Sequence, residues 1–124
     1  MSKKGNIVLI EREHGEFDKV EFSFRYVNLN KQQFEHIQKT IPDIEKSINK
    51  LKNSSYVLSI PLEENLNSNL FKKINDDLVL DDSKYGIWVS FTTEYDLSGF
   101  RLPKHVNDFH LNVGGQFDCS IINL

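Results

Sequence analysis

The 124-residue sequence has no alanine and only one cysteine, Cys119. A lone cysteine excludes an internal disulfide framework and any metal site built from several thiolates. Long apolar runs are missing as well. The longest, Ile7-Val8-Leu9-Ile10, falls far short of the ~20 apolar residues a transmembrane helix needs. The opening, Met1-Ser2-Lys3-Lys4-Gly5-Asn6, carries two lysines but no apolar stretch of signal-peptide length, so the expected location is the cytoplasm. Excess positive charge is absent too. Fifteen Lys and Arg stand against 18 Asp and Glu, a net of −3, which argues against a general nucleic-acid binder. Asparagine (12), lysine (12) and isoleucine (11) fill the space that alanine leaves. Those three have AT-rich codons and alanine has GC-rich ones, so the bias reflects the gene's base composition. Helices must then be built from Lys, Gln, Glu, Leu and Ile, which are adequate helix formers.

With 39% hydrophobic and 27% charged residues, the composition is that of an ordinary globular domain. The length predicts a single domain over residues 1–124. Asn6 to Arg12 is a β-branched apolar run and reads as a strand. In Lys19 to Val27, Val20, Phe22, Phe24 and Tyr26 alternate with Glu21, Ser23 and Arg25, a strand with one wet face. His14 to Asp18 joins the two as a hairpin, with Gly15 free to take positive φ. Asn30 reads as the N-cap of a helix whose apolar stripe is Phe34, Ile37, Ile41, Ile44, Ile48 and Leu51. Pro42 lies inside the stripe, which stays in phase across it, so one kinked helix is expected. Asn53-Ser54-Ser55 is a turn, and Tyr56 to Ile60 is a third strand stopped by Pro61. Leu66, Leu70, Phe71 and Ile74 mark a second helix, capped by Asn65 or Asn67. Tyr85 to Thr93 is a fourth strand. Leu102 to Leu111 is a helix opened by Pro103, with Val106, Phe109 and Leu111 inward and Gly114-Gly115 as its stop. Phe117 to Ile122 is the last strand. The order β-β-α-β-α-β-α-β predicts an α+β fold: one mixed, mostly antiparallel five-stranded sheet with about three helices mainly on one face.

Catalytic signals are sparse. His105 and His110 are five apart, not the three or four that place two ligands on one helix face, and no metal is expected. Cys119 falls in a strand, where a buried small apolar residue is the ordinary case rather than a nucleophile. Glu94 with Asp96, or Asp81 with Asp82, are carboxylate pairs at strand ends and turns, where solvation is the rule. Gly114-Gly115 lacks the Lys-Ser/Thr and following helix of a phosphate loop. The expectation is a non-enzyme with no cofactor.

Charge is unevenly placed. Residues 1–55 carry a net of +2 and residues 56–124 a net of −5. Most of the excess is Glu63, Glu64, Asp76, Asp77, Asp81 and Asp82, set against Lys72 and Lys73. Such a run is commonly a solvated face; it is also what steers a basic partner. Tyr85, Trp88, Tyr95 and Phe100 surround one strand and the loop after it. Any that are exposed beside Glu94 and Asp96 would make an aromatic anchor with charge around it.

The stretch from Tyr85 to Leu124 runs strand (Gly86-Ile87-Trp88-Val89-Ser90-Phe91), Leu102-Pro103 helix, Gly-Gly, then Phe117 to Ile122. It resembles small bacterial proteins that include presumed immunity proteins beside polymorphic toxins. In size, acidity and AT-rich composition the chain resembles immunity proteins of contact-dependent growth inhibition systems. The resemblance implies a cytoplasmic protein that binds the C-terminal domain of a cognate toxin, a nuclease, and occludes its active site. It carries no functional residue with it. The charge pattern supplies the candidate contacts: Glu63, Glu64, Asp76, Asp77, Asp81, Asp82, Glu94, Asp96 and Tyr95. No nucleic acid or membrane partner is expected, and the chain is either a monomer or a homodimer. The alternative is a small structural or regulatory module that self-associates through a sheet edge or through the kinked helix.

Overall fold

Alternation between apolar and polar residues makes Phe17–Leu29 the central strand, β2, of a mixed sheet. The computed structural model describes residues 7–11, 17–41, 44–93 and 102–123. Strand β1 (Ile7–Glu11) pairs antiparallel with the first half of β2, from Ile7 opposite Glu21 to Glu11 opposite Phe17. Residues 14–16 of the expected hairpin connection lie outside the described residues, and Phe17 and Asp18 already belong to β2. Strand β4 (Tyr56–Pro61) pairs with the second half of β2, and β5 (Tyr85–Thr93) runs along its other edge. A short strand, β3 (Ser47–Lys50), lies outside β4. Strand β6 (Gln116–Asn123) lies parallel to β5. The order is β3-β4-β2-β5-β6, with β1 sharing β2 with β4. The five expected strands are all present, and β3 is additional.

The helices are α1 (Lys31–Thr40), α2 (Ser68–Asp77) and α3 (Lys104–Val113). Each begins where the sequence supplies a start signal. Asn30 and Gln33 form a capping box, each side chain meeting the other residue's backbone N–H at 2.8 and 3.0 Å. Asn67 caps α2 through the N–H of Asn69 at 3.1 Å. Pro103 precedes α3, where its missing N–H costs nothing.

The stripe from Phe34 to Leu51 is not one helix. It ends at Thr40, and Ile41 leaves the helical region at φ −120°, ψ 61°. The cause is local. A residue before proline is pushed out of the α region, and Pro42 has no N–H to continue the ladder. Ile41 remains fully buried, but Ile48 and Leu51 are carried onto and past β3, where both are exposed. The in-phase spacing was therefore coincidental beyond Ile41.

One apolar cluster joins the two layers. Val20, Phe22, Phe24 and Tyr26 of β2, Leu58 and Ile60 of β4, and Ile87, Val89 and Phe91 of β5 face the helices. Phe34, Ile37, Phe71, Ile74, Val106, Phe109 and Val113 meet them from above. Phe24 is central, with ring centroids 5.3 Å from Phe71 and 5.0 Å from Phe109. Full burial of such side chains is worth about 1.5–3 kcal/mol each. Leu111 was expected inward, but it is on the outer side of α3 and exposed; Val113 takes the inward place. The opposite face of the sheet (Glu21, Ser23, Arg25, Ser59, Trp88, Ser90) carries polar side chains and is half-buried.

Helical cover thins beyond β5, where His110 of α3 meets the Phe117 ring at 5.7 Å. The β5–β6 register puts Phe117, Cys119 and Ile121 on the helix side, beside Ile87, Val89 and Phe91. All three are nonetheless exposed, so Cys119 is not the buried small residue that its strand context suggested. No helix among the described residues is long and apolar enough to cross a membrane.

Candidate interaction surface

The acidic candidates fall into two groups at opposite ends of α2. Glu63 and Glu64 precede the helix and line a shallow pocket with His105, Asp108 and Phe109. Asp76 and Asp77 end it, and Asp81 and Asp82 follow. The helical stretch from Ser68 to Asn75, about 12 Å long, separates the groups. They do not form one patch. Glu94, Tyr95 and Asp96 lie outside the described residues.

The second group is held by a tightly bonded corner. At the end of α2, the N–H of Leu78 reaches the Ile74 carbonyl at 3.0 Å, and the N–H of Val79 reaches that of Asp76 at 3.1 Å. The N–H of Leu80 reaches back to the Asn75 carbonyl at 3.0 Å, a six-to-one closure of Schellman type. This closure needs one left-handed residue, usually glycine. Here it is Val79, at φ 50°. Left-handed backbone costs an L-residue about 1–2 kcal/mol, and a β-branched one is the poorest fit. Val79 is also 87% exposed, so burial returns none of that cost.

Around this apolar knob stand carboxylates. Asp81 accepts the Ser83 N–H at 2.8 Å and opens a 3-10 turn, Asp82–Lys84. That hydrogen bond, first, holds the Asp81 carboxyl below the usual carboxylate range. The turn touches β2, β5 and β6, so the corner sits at one end of the sheet. Tyr85, the next residue, is half-buried there. Burial pushes its phenol up, and the negative charges of Asp82, Asp76 and Asp81 add to the rise. Three carboxylates therefore act on one phenol. Lys84 lends Asp81 a small stabilising charge while its ammonium bonds the Asn28 carbonyl at 3.0 Å and Gln33 Oε1 at 3.4 Å. Lys73 bonds Asp77 at 3.4 Å on the exposed flank, an interaction of little net worth. The corner thus presents an apolar tip, a phenol and a surplus of negative charge.

A second grouping lies on the polar face of the sheet. Arg25 packs over the Trp88 ring at 5.7 Å from its centroid and donates through Nε to Ser23 Oγ at 3.2 Å. Trp88 is therefore a half-exposed platform and not a core residue.

Other candidate chemistry resolves into structure. His105 Nε2 lies 3.1 Å from the Leu62 carbonyl, and His110 Nε2 lies 3.1 Å from that of Gly115. Each ties α3 to a neighbouring segment. Among the described residues, no three His, Cys, Asp or Glu side chains gather to hold a metal ion.

The charge pattern singles out Asp76, Asp77, Asp81 and Asp82 as candidates, and Tyr85 counts among the aromatics that could be partly exposed, but Val79 reads only as one more apolar residue in Leu78-Val79-Leu80. The available signal was the absence of glycine or asparagine just beyond a helix that must stop. No protein family, no curated protein and no solved structure matches this chain.

Proposed function

We propose that this chain is a non-enzymatic binding protein that docks a basic protein partner on the corner formed by Asp76, Val79, Asp81, Asp82 and Tyr85. Val79 is the observation that carries the reading. A strained, exposed valine at a glycine position has no local benefit to the fold. Its apolar tip among carboxylates has the anatomy of an interface anchor, with an apolar centre and a charged rim. The partner class that fits is a toxin domain with a basic substrate groove. The carboxylates would stand where nucleic-acid phosphates bind, and the chain would neutralise a nuclease by covering its groove. The cytoplasm is where such a protein would act.

The test pairs the chain with the product of the gene directly upstream and measures that product's cleavage of DNA and RNA. Equimolar chain should abolish cleavage, and inhibition should weaken as salt rises. A triple variant, Asp76→Lys, Asp82→Lys and Asp81→Asn, reverses the field but keeps an acceptor for the Ser83 N–H. It should inhibit at least tenfold less well. Unchanged inhibition and an unchanged salt slope would remove this corner from the interface.

A further inference from the structure

From the free edge of β6 we infer that two copies of this chain join edge to edge, extending one sheet through antiparallel pairing centred on Cys119. Strand β6 is last in the sheet order, and among the described residues nothing pairs with its outer edge. An open edge is a template for another strand, and proteins usually blunt it with lysine, proline, a bulge or brevity. Strand β3, at the other end, follows that practice: four residues, ending in Lys50. Strand β6 does not. It runs eight residues as Gln-Phe-Asp-Cys-Ser-Ile-Ile-Asn, without lysine, proline or glycine. On its helix-side row only Phe117 meets a helix among the described residues, its ring 5.7 Å from that of His110 in α3, and the row stays open, with Phe117 43% and Ile121 53% exposed and Cys119 exposed.

The occupant is chosen by register. Side chains share a face in an antiparallel pair only when residues of matching parity are opposed. Three such self-pairings are centred within the strand's middle. One centred on Asp118 opposes two carboxylates, which destabilises. One centred on Ser120 sets Phe117 against Asn123. The pairing centred on Cys119 sets Phe117 opposite Ile121 of the second copy, twice by symmetry, and Asp118 opposite Ser120. Only this register keeps apolar against apolar and holds the two Asp118 carboxylates apart. Such a symmetric patch is what a two-fold dimer requires.

The paired edges bury on the order of 800–1,000 Å², the low end for a specific interface. An interface of this size belongs with weak, reversible association, so the dimer is expected to be concentration-dependent. Gln116 bonds the Asp82 carbonyl at 3.5 Å, so each acidic corner sits at the start of its own β6. Antiparallel pairing sends the two corners to opposite ends, roughly 20 Å apart at about 3.3 Å per residue. Both stay open to a partner, and the dimer forms whether or not one binds.

Cys119 is the chain's only cysteine and so reports the register. Opposed residues have Cα atoms about 4.5–5.5 Å apart, within disulfide reach; a two-residue slip gives about 7–8 Å, which is out of reach. The experiment combines sedimentation velocity across concentration with diamide treatment of the full chain. Diamide takes the two thiol hydrogens as it oxidises the pair. A concentration-dependent dimer that diamide converts to a covalent one is expected. Ile121→Lys, at an exposed site, should abolish both. Ser120→Lys should tighten the dimer about 3- to 10-fold by facing Asp118 of the other copy. A chain that stays monomeric to about 1 mM overturns the inference. So does a dimer that survives Ile121→Lys or that Ser120→Lys leaves unchanged. Circular dichroism confirms that both variants fold.

Discussion

Tyr26 donates its phenolic hydrogen to Asn75 Oδ1 at 2.7 Å, joining the central strand to α2 across 49 positions of sequence. Both residues are buried, and Asn75 Nδ2 has no hydrogen-bond partner among the described residues. The pair is a polar link inside an apolar layer, and its cost is asymmetric. Tyr26→Phe leaves the Asn75 oxygen unpaired and should destabilise by about 1–3 kcal/mol. Asn75→Leu strands the phenol and should cost a similar amount. Together the two changes remove both polar ends and should cost clearly less than their sum. Urea unfolding of the four proteins measures this coupling. Strict additivity would mean that the bond contributes nothing.

The same phenol makes stability fall in alkali. Burial pushes the Tyr26 ionisation far above its ordinary value, with a smaller contribution from Tyr85. The folded chain therefore holds a proton that the unfolded chain gives up from about pH 10. The contribution of neutral Tyr26 is intact below pH 10 and declines above it, by up to about 1.4 kcal/mol per pH unit. Unfolding free energies at pH 9 and pH 11 should differ more in the parent chain than in Tyr26→Phe. Equal differences would show that another group governs the alkaline limb.

Most of the sheet was legible because a strand states its own pattern. In β2, the alternation at Val20, Phe22, Phe24 and Tyr26 gives both the strand and its buried face. Asn30 and Gly114 punctuate helices where local chemistry places them, and of the two expected caps for α2, Asn65 or Asn67, the structure uses Asn67. What was not legible depends on neighbours distant in sequence. Ser47–Lys50 is a strand because β4 is there to pair with it, while its isoleucine spacing still mimics a helix. Cys119 and Ile121 alternate with Asp118 and Ser120 as residues of a half-buried strand do, and the extent of the helical layer leaves them open. The acidic residues were visible as a run, but α2 divides them into two ends, and Val79's conformation arises from how that helix closes.

Val79→Gly separates stability from binding. The change removes the left-handed strain, worth about 1–2 kcal/mol, and loses no burial. Glycine's greater freedom in the unfolded chain offsets part of that gain. The net expectation is a stabilisation of about 0.5–1 kcal/mol, read as a rise of several degrees in Tm. Affinity for the basic partner should fall at least tenfold, because the apolar tip is gone. A variant that is more stable and still inhibits fully would show that Val79 is not the anchor.

The start of the parallel β5–β6 pair depends on one glycine. A Cβ built on Gly86 would collide with the Gln116 carbonyl oxygen and lie 2.7 Å from its nitrogen, both backbone atoms that cannot step aside. Gly86→Ala must therefore push the two strands apart at the point where β6 enters the sheet. A loss of about 2–4 kcal/mol is expected, the range of a core or backbone lesion. Gly114 provides the contrast. It has φ 79° and ψ −153°, a region that side chains avoid, but no atom lies within 4 Å of its would-be Cβ. Gly114→Ala should cost only the backbone strain, about 1–3 kcal/mol, with β6 still in place. Amide hydrogen exchange distinguishes the two. Gly86→Ala should expose the amides of β6 selectively, while Gly114→Ala should lower protection only as far as global stability falls. Normal protection of β6 in Gly86→Ala would show that the pair absorbs the extra methyl without separating.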